Sequence, residues 1–200
     1  GMVLQDYESQ LFGTSIDAEV AFGPENLGVA PEEIDDRIDA ALALVGLHDL
    51  DRHREPAGLS GGQKQRLVFA SVSAMHPRLL VLDEPTSDLD PAGTRELLSA
   101  VERLAGIGTA GEDDHSTAAS PPLTGDGSGW SGPETIVMVT HKIEEALLAD
   151  HAVLLKNGQV FRDGPAREVF TDTDALEDSR VAVPPLVEAF TQLDIGETEP

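Results

Sequence analysis

One stretch of the chain decides the fold, because it joins a glycine-rich turn, a helix and a buried strand. It reads Leu59-Ser60-Gly61-Gly62-Gln63-Lys64-Gln65-Arg66, and beyond His76-Pro77 it continues as Leu79-Leu80-Val81-Leu82-Asp83-Glu84-Pro85. The four apolar residues before Asp83 predict a short buried strand, and Pro77 disfavours a helix that would continue into it. A helix that begins near Gly61 and leads into a strand favours an α/β fold with a mainly parallel sheet, covered on both faces.

The flanking sequence extends this pattern in both directions. Residues 6–30 carry scattered Gly and Pro and predict loops, whereas apolar residues recur at helical spacing from Pro31 to Gly46 and predict an amphipathic helix. The remaining predictions, in chain order, are a helix after Pro91, a low-complexity insertion at 105–134, a strand over 135–140, a helix over 142–149, a hairpin of strands 152–155 and 159–161, and short helices over 165–170 and 185–192. We expect Trp130 of the insertion to be exposed; docking of its side chain as an anchor is the alternative.

Composition narrows the class of protein. The 200 residues include 37 acidic and 13 basic side chains, and a net charge of −24 opposes binding to nucleic acid or to anionic membranes. No cysteine is present, which excludes disulfides and thiolate zinc sites. No apolar run is long enough to span a membrane, and we expect a cytoplasmic protein. The preference for Arg over Lys suggests a high-salt cytoplasm; a merely acidic protein is the alternative.

Five motifs, taken together and in order, resemble those of the ATP-binding-cassette (ABC) ATPases. Residues 59–66 resemble the signature motif of that family, and residues 79–85 resemble its Walker B strand with the adjoining glutamate. Thr86-Ser87-Asp88-Leu89-Asp90 is similar to the D-loop, Thr140-His141 to the switch histidine, and Gln5 to the Q-loop glutamine. The resemblance implies a partial P-loop NTPase core, a helical signature subdomain and ATP hydrolysis with Mg²⁺.

The resemblance also divides the chain into three expected segments. Residues 1–76 would form the Q-loop and the helical signature subdomain, residues 77–165 the remaining α/β core, and residues 166–200 a C-terminal helical tail.

The two carboxylates at the strand end suit two different tasks. Asp83 would reach the phosphate crevice at the end of the strand and hold Mg²⁺, with Gln5 as a second oxygen ligand that also contacts the nucleotide. Glu84, one residue on, faces elsewhere and would polarise the attacking water as general base. Without the other motifs, two carboxylates that merely end a strand would be the better interpretation.

The glycine-rich turn offers a phosphate site of a second kind. Ser60, Gly61, Gly62 and Gln63 begin a helix, where free backbone N–H groups and the helix dipole attract anions. In the family, that phosphate belongs to ATP held mainly by the opposite subunit. Helix capping by Ser60 is the alternative, and it leaves the two glycines and Gln63 unexplained.

Asp88 and His141 complete the set of expected site residues. The resemblance implies that Asp88 contacts the nucleotide across a dimer interface and that His141 senses the terminal phosphate. Turn chemistry explains an aspartate at position 88 equally well, and a single histidine is more often structural.

The chain contains no G-x-x-x-x-G-K-[ST] motif, the loop that wraps ATP phosphates. In the family this loop precedes the Q-loop, which here is residue 5. We therefore expect a fragment that lacks the Walker A segment and is inactive alone. Gly58-Leu59-Ser60-Gly61-Gly62 also fits a serine-hydrolase elbow, but no buried strand precedes the serine, as that site requires.

The segment from Gln5 to Gly28 is similar to the ATPases of energy-coupling-factor and cobalt-type importers, which take up vitamins or transition-metal ions. The resemblance implies a second ABC ATPase subunit, homo- or heterodimeric, and a transmembrane subunit received by Gln10, Leu11 and Phe12; packing of Leu11 and Phe12 within the helical lobe is the alternative. The protein would then lie peripherally on the inner face of the cell membrane. A non-transport ABC ATPase and a non-catalytic subunit that offers only its signature face stay open.

Overall fold

The computed structural model describes residues 1–107 and 130–171. Contacts divide the chain into two compact units, Gly1–Val139 and Thr140–Pro200. The expected segment boundaries after residues 76 and 165 stay predictions. Most of the insertion (108–129) and most of the C-terminal tail, including the helix expected over 185–192, lie outside the described residues. No helix in the two described ranges is long and apolar enough to cross a membrane.

The first unit is built around a three-stranded parallel sheet in the order β1-β2-β3. Its strands are β1 (Met2–Val3), β2 (Leu79–Asp83) and β3 (Thr135–Val139). The register aligns β2 with β3 residue by residue, from Leu79 opposite Thr135 to Asp83 opposite Val139. The α/β fold and the parallel sheet are therefore confirmed.

The two faces of this sheet differ. Val3, Leu80 and Leu82 are buried in the hydrophobic core, and Ile136 and Met138 pack against it. The alternate residues, among them Leu79, Val137 and Val139, are exposed. The expectation of a sheet covered on both faces was wrong for the described part of this unit, because apolar side chains of the second face, such as Leu79, Val137 and Val139, are exposed.

In the described part of the first unit, four helices accompany the sheet: α1 (Ile16–Asn26), α2 (Pro31–Leu44), α3 (Gly61–Ser73) and α4 (Pro91–Leu104), with short 3-10 helices at Tyr7–Gln10 and Pro56–Gly58. Helix α2 begins at Pro31 and is followed by Gly46 with φ +67°, as its sequence pattern predicts. Phe69 of α3 and Leu97 and Leu104 of α4 are among the most deeply buried side chains.

Helix α1 corrects the loop expected over residues 6–30. The Ser15 side chain caps it by accepting a hydrogen bond from the Ala18 amide, and Ile16 and Val20 are fully buried. Gly23, taken as a loop signal, lies inside the helix, where an added Cβ would come within 2.5 Å of the Met75 side chain. This glycine therefore permits a close approach of packed elements.

Trp130 also differs from expectation. It is partly buried against the core, and its ring stacks on His76 with 4.2 Å between ring centroids and 7° between planes. The exposed position expected for this residue was wrong, because an aromatic ring gains by covering apolar surface even in a polar segment.

The second unit contains an antiparallel hairpin, β4 (His151–Lys156) and β5 (Gln159–Pro165), with helices α5 (Ile143–Ala146) and α6 (Ala166–Thr171). Asn157 and Gly158 both have positive φ, the conformation that a two-residue hairpin turn requires. Ile143, Val169 and Phe170 form a small core of their own. Helix α5 is shorter than predicted, since the helix expected over 142–149 ends at Ala146.

Candidate functional site

Strand β2 delivers two carboxylates into a strained turn. Asp83 ends the strand and is half-buried, and Glu84 follows with φ +45°, which is uncommon for a residue with a side chain. The Glu84 amide donates to the Val139 carbonyl at 2.8 Å, so the turn is held against the end of β3. The left-handed backbone breaks the pleat immediately after Asp83, and the two carboxylates do not continue the alternation of one strand.

Gln5 lies beyond the carboxyl end of β1, next to the end of β2. The Tyr7 amide donates to the Gln5 carbonyl at 3.0 Å, and Gln5 is exposed. Because β1 and β2 are parallel neighbours, Gln5 and Asp83 share one edge of the sheet. An amide oxygen and a carboxylate are hard ligands that suit Mg²⁺. In residues 1–107 and 130–171 no three His, Cys, Asp or Glu side chains are grouped so that they could hold a metal ion.

The signature turn caps α3 in a reciprocal manner. The Ser60 hydroxyl accepts from the Gln63 amide at 3.3 Å, and the Gln63 side-chain oxygen accepts from the Ser60 amide at 3.1 Å. This capping box accounts for Gln63 as well as Ser60. Helix capping therefore explains more of the motif than the sequence suggested, and only the two glycines are left without an explanation from it.

Close packing explains the two glycines. A Cβ on Gly61 would lie 3.0 Å from the Tyr7 hydroxyl, and a Cβ on Gly62 would lie 3.2 Å from the Leu89 side chain. Both distances are tighter than ordinary van der Waals contact. The start of α3 is thus packed between the segment that follows Gln5 and the loop that contains Asp88.

Three consecutive residues of α3 reach other parts of the first unit. The Lys64 ammonium pairs with the Glu8 carboxylate at 2.7 Å, and the buried Gln65 donates to the Pro85 carbonyl at 2.5 Å. Arg66 donates to the Val45 carbonyl at 3.1 Å and pairs with Glu96 of α4. Sequence reasoning assigned no role to these residues, and no local pattern marks a contact between residues so far apart in the chain.

The loop after β2 separates the two aspartates of the 86–90 segment. The Asp90 side chain accepts from the Gly93 amide at 2.7 Å and caps α4, whereas Asp88 is exposed. Burial raises the pKa of Tyr7, and the negative charge of Asp88 raises it further. Asp88 therefore lies within electrostatic reach of the tyrosine that packs on Gly61.

His141 belongs to the second unit, and its expected role stays a prediction. The Thr140 hydroxyl donates to Glu145 at 2.8 Å and accepts from the Lys142 amide at 3.0 Å. The Lys142 ammonium lies 3.3 Å from the other oxygen of the buried Glu145. These contacts fix the residues on both sides of His141, whose side chain is exposed.

The segment expected to receive a membrane subunit is divided between two roles. The side chain of Gln10 accepts from the Leu4 amide at 2.8 Å and donates to the Met2 carbonyl at 3.1 Å, so it braces β1. Leu11 packs against the core. Phe12 is 60% exposed and meets Phe22 edge to face, with 4.5 Å between ring centroids.

A buried carboxylate holds the backbone beneath this aromatic pair. Glu19 is only 3% exposed, and one of its oxygens accepts from the amides of Phe12 at 3.0 Å and Gly13 at 2.6 Å. The exposed Phe12 ring is therefore carried by a fixed loop.

Comparison with known proteins agrees with this assembly of motifs. Residues 1–87 match the family model described as ABC transporter. The energy-coupling factor transporter ATP-binding protein EcfA1 of Clostridium novyi (strain NT) is 36% identical over 96% of this chain and 60% of the relative, so the chain spans about three fifths of the relative's length.

Two solved structures resemble the fold. One is cbiO1 from Clostridium perfringens, described as part of the ABC transporter complex cbiONQ; it is 29% identical with a TM-score of 0.64 and covers 95% of this chain and 66% of that one. The other is the dimeric structure of MJ0796, a bacterial ABC transporter cassette, 23% identical with a TM-score of 0.60 over 84% of this chain and 62% of that one. The chain is therefore similar to ABC transporter ATPases, in the family match of residues 1–87 and in sequence and fold over most of its length.

Proposed function

We propose that this chain is the signature and Walker B part of an ATP-hydrolysing subunit of an ABC importer of the energy-coupling-factor type. The observation that carries the proposal is the direct link between the two motifs. The Gln65 side chain of the signature helix donates to the carbonyl of Pro85, the residue after Glu84. The helix that begins with the signature residues is thus bonded directly to the residue that follows Glu84.

In this proposal the carboxylates divide the chemistry of hydrolysis. Glu84 accepts a proton from the attacking water, and its turn is held by hydrogen bonds of the Glu84 amide and carbonyl. Asp83 and Gln5 would hold Mg²⁺ from the shared edge of the sheet. When bound, that cation would offset negative charge on the phosphate oxygens. ATP itself would be held by a phosphate-binding loop that these 200 residues do not contain.

The signature turn would act on ATP of a second ATPase subunit. Helix α3 is 13 residues long, and its first amides point out of the helix start, where an anion is favoured. Gly61 and Gly62 carry no side chain that would block an approaching phosphate. Asp88 is exposed on the adjoining loop and would contact the same interface. The solved cassette that is described as dimeric supports this arrangement.

The Phe12–Phe22 pair would receive a transmembrane subunit. Two exposed aromatic rings on a backbone fixed by Glu19 form a rigid apolar contact for an entering helix. The curated relative is named for an energy-coupling factor transporter, and cbiO1 is described as part of a transporter complex. In this proposal the chain would lie on the cytoplasmic face of a membrane and take part in the uptake of a vitamin or a transition-metal ion.

The test is Glu84→Gln in the complete ATPase, meaning a polypeptide that contains these residues together with a phosphate-binding loop. Hydrolysis should fall by at least roughly a hundredfold while ATP binding persists, because the base is lost but the size of the side chain is kept. Unhydrolysed ATP should then hold a dimer that ADP does not, as seen by light scattering.

Two further variants sharpen this test. Glu32→Gln, a change at an exposed carboxylate at the start of α2, is the matched control and should hydrolyse ATP normally. Ser60→Arg should prevent dimer formation by filling the phosphate approach. Normal hydrolysis by Glu84→Gln would refute the role of Glu84, and a stalled enzyme that stays monomeric with ATP would refute action between subunits.

A further inference from the structure

Gln65 is a fully buried polar side chain of the signature helix, and it joins that helix to the turn of Glu84. Its relative exposure is 0%, and its amide nitrogen donates to the Pro85 carbonyl at 2.5 Å. The two residues are 20 positions apart in sequence. Neither the family comparison nor the sequence motifs assign a task to this side chain.

The turn that receives this hydrogen bond needs outside support. Glu84 adopts φ +45°, a region in which a residue with a Cβ persists only when its surroundings hold it there. On one side the Glu84 amide donates to Val139 at 2.8 Å, and on the other the Ser87 amide donates to the Glu84 carbonyl at 3.2 Å. Pro85 has no amide hydrogen, so the Pro85 carbonyl is the only backbone group through which that residue can be held.

We infer that Gln65 is a positioning residue, which fixes the Glu84–Pro85 turn to the signature helix of the same subunit. This inference rests on the proposed function. By that function, α3 contacts ATP of the opposite subunit and Glu84 acts on ATP of its own. Gln65 then joins the two ATP sites within one chain, and a displacement of α3 is passed to the base through one buried hydrogen bond.

The neighbouring Lys64 shows why this link is distinct. Its ion pair with Glu8 is partly exposed, the side chains being 21% and 62% accessible, so solvent screens it. The Gln65 bond is dry and directional, and no solvent competes for the Pro85 carbonyl at that contact.

The first test is amide hydrogen exchange on the 200-residue chain carrying Gln65→Met, which keeps the side-chain length and removes the donor. Exchange at the Glu84 and Ser87 amides, measured relative to the Ala74 and Thr94 amides, should rise about tenfold. Ala74 and Thr94 are bonded within other helical turns of the same unit and report general destabilisation. If the ratio is unchanged, Gln65 does not hold the turn.

Ser73→Ala is the matched control. It removes another buried side-chain hydrogen bond of α3, from Ser73 to the Phe69 carbonyl at 2.8 Å, and should leave the ratio unchanged. A rise in the ratio as large as that of Gln65→Met would overturn the inference. If Gln65→Met does not fold, Gln65→Asn decides by the same ratio, because its amide is one methylene too short to reach Pro85.

The second test is steady-state hydrolysis by the complete ATPase. Gln65→Met should lower kcat about tenfold and leave KM for ATP unchanged, because it disturbs the base and not the phosphate-binding loop. A kcat equal to that of Ser73→Ala would overturn the catalytic part of the inference. Glu84→Gln in the same assay separates the two claims: full activity there refutes the proposed function, while the exchange ratio still decides whether Gln65 holds the turn.

Discussion

Two neighbouring segments of the first unit are held in place by different kinds of contact. The loop at Phe12 and Gly13 is held by the buried Glu19 carboxylate, which accepts from two backbone amides. The 3-10 helix at Tyr7–Gln10 is instead tied to α3 by the partly exposed pair of Glu8 and Lys64. A buried acceptor fixes a backbone at a large cost if it is lost, whereas an exposed ion pair sets a position that solvent weakens.

The largest stability effect should come from Glu19→Leu. It leaves the partly buried amides of Phe12 and Gly13 without their acceptor, and we expect a loss of about 3 kcal/mol in the free energy of unfolding. Urea denaturation measures it. Glu25→Leu, at an exposed position of the same helix, should change stability by less than about 0.5 kcal/mol. Equal effects of the two variants would show that the buried acceptor is unimportant.

Gly61→Ala should have the next largest effect. The new Cβ would lie 3.0 Å from the Tyr7 hydroxyl, so the tyrosine must move, and we expect a loss of about 1 kcal/mol. Tyr7→Phe removes the hydroxyl and should relieve most of that loss in the double variant, with a coupling of about 0.5 to 1 kcal/mol. Strict additivity in the urea denaturation cycle would contradict the contact.

Lys64→Met should have a small effect. The pair with Glu8 is partly exposed, and we expect a loss of about 0.5 kcal/mol that shrinks as salt is raised. Denaturation at low and at high ionic strength measures it. A loss of stability as large as that of Glu19→Leu would show that the partly exposed ion pair holds its segment as strongly as the buried carboxylate holds the loop at Phe12.

The smallest effect concerns pH and the Tyr7–Asp88 pair. Burial, then the charge of Asp88, raises the pKa of Tyr7 above its ordinary value of 10.0. A raised pKa in the folded state means that this contribution to stability is complete below pH 10 and is lost as pH rises through the pKa of the folded protein.

Tyr7 is the only tyrosine, so ultraviolet titration of the phenol reports it alone. Asp88→Asn should bring the pKa of Tyr7 closer to 10.0. Asp36→Asn, at an exposed position of α2, is the control and should leave that pKa in place. An identical pKa of Tyr7 in the two variants would show that the charge of Asp88 does not raise it.

Local sequence predicted the elements whose signals are local. Short apolar runs predict β2 and β3. Pro31 predicts the start of α2, and Asn157-Gly158 predicts the hairpin turn. The prediction was wrong for helix α1, because Gly23 and Pro24 are residue types that ordinarily indicate a loop. Whether a helix tolerates them depends on what packs beside it, and here Gly23 lies against Met75.

The candidate site divides in the same manner. The order and types of the candidate residues in the first unit, from Gln5 through Ser60 to Glu84, could be predicted from the sequence, because the proposed chemistry requires particular side chains. The sequence by itself determined the α/β class, the capped start of α3 and the carboxylate pair that follows a buried strand. Only the tertiary structure decided that Gln65 meets Pro85, that Tyr7 packs on Gly61 and that Glu19 holds Phe12. These contacts join residues that no local periodicity relates, and their existence depends on how helices and strands fill space together.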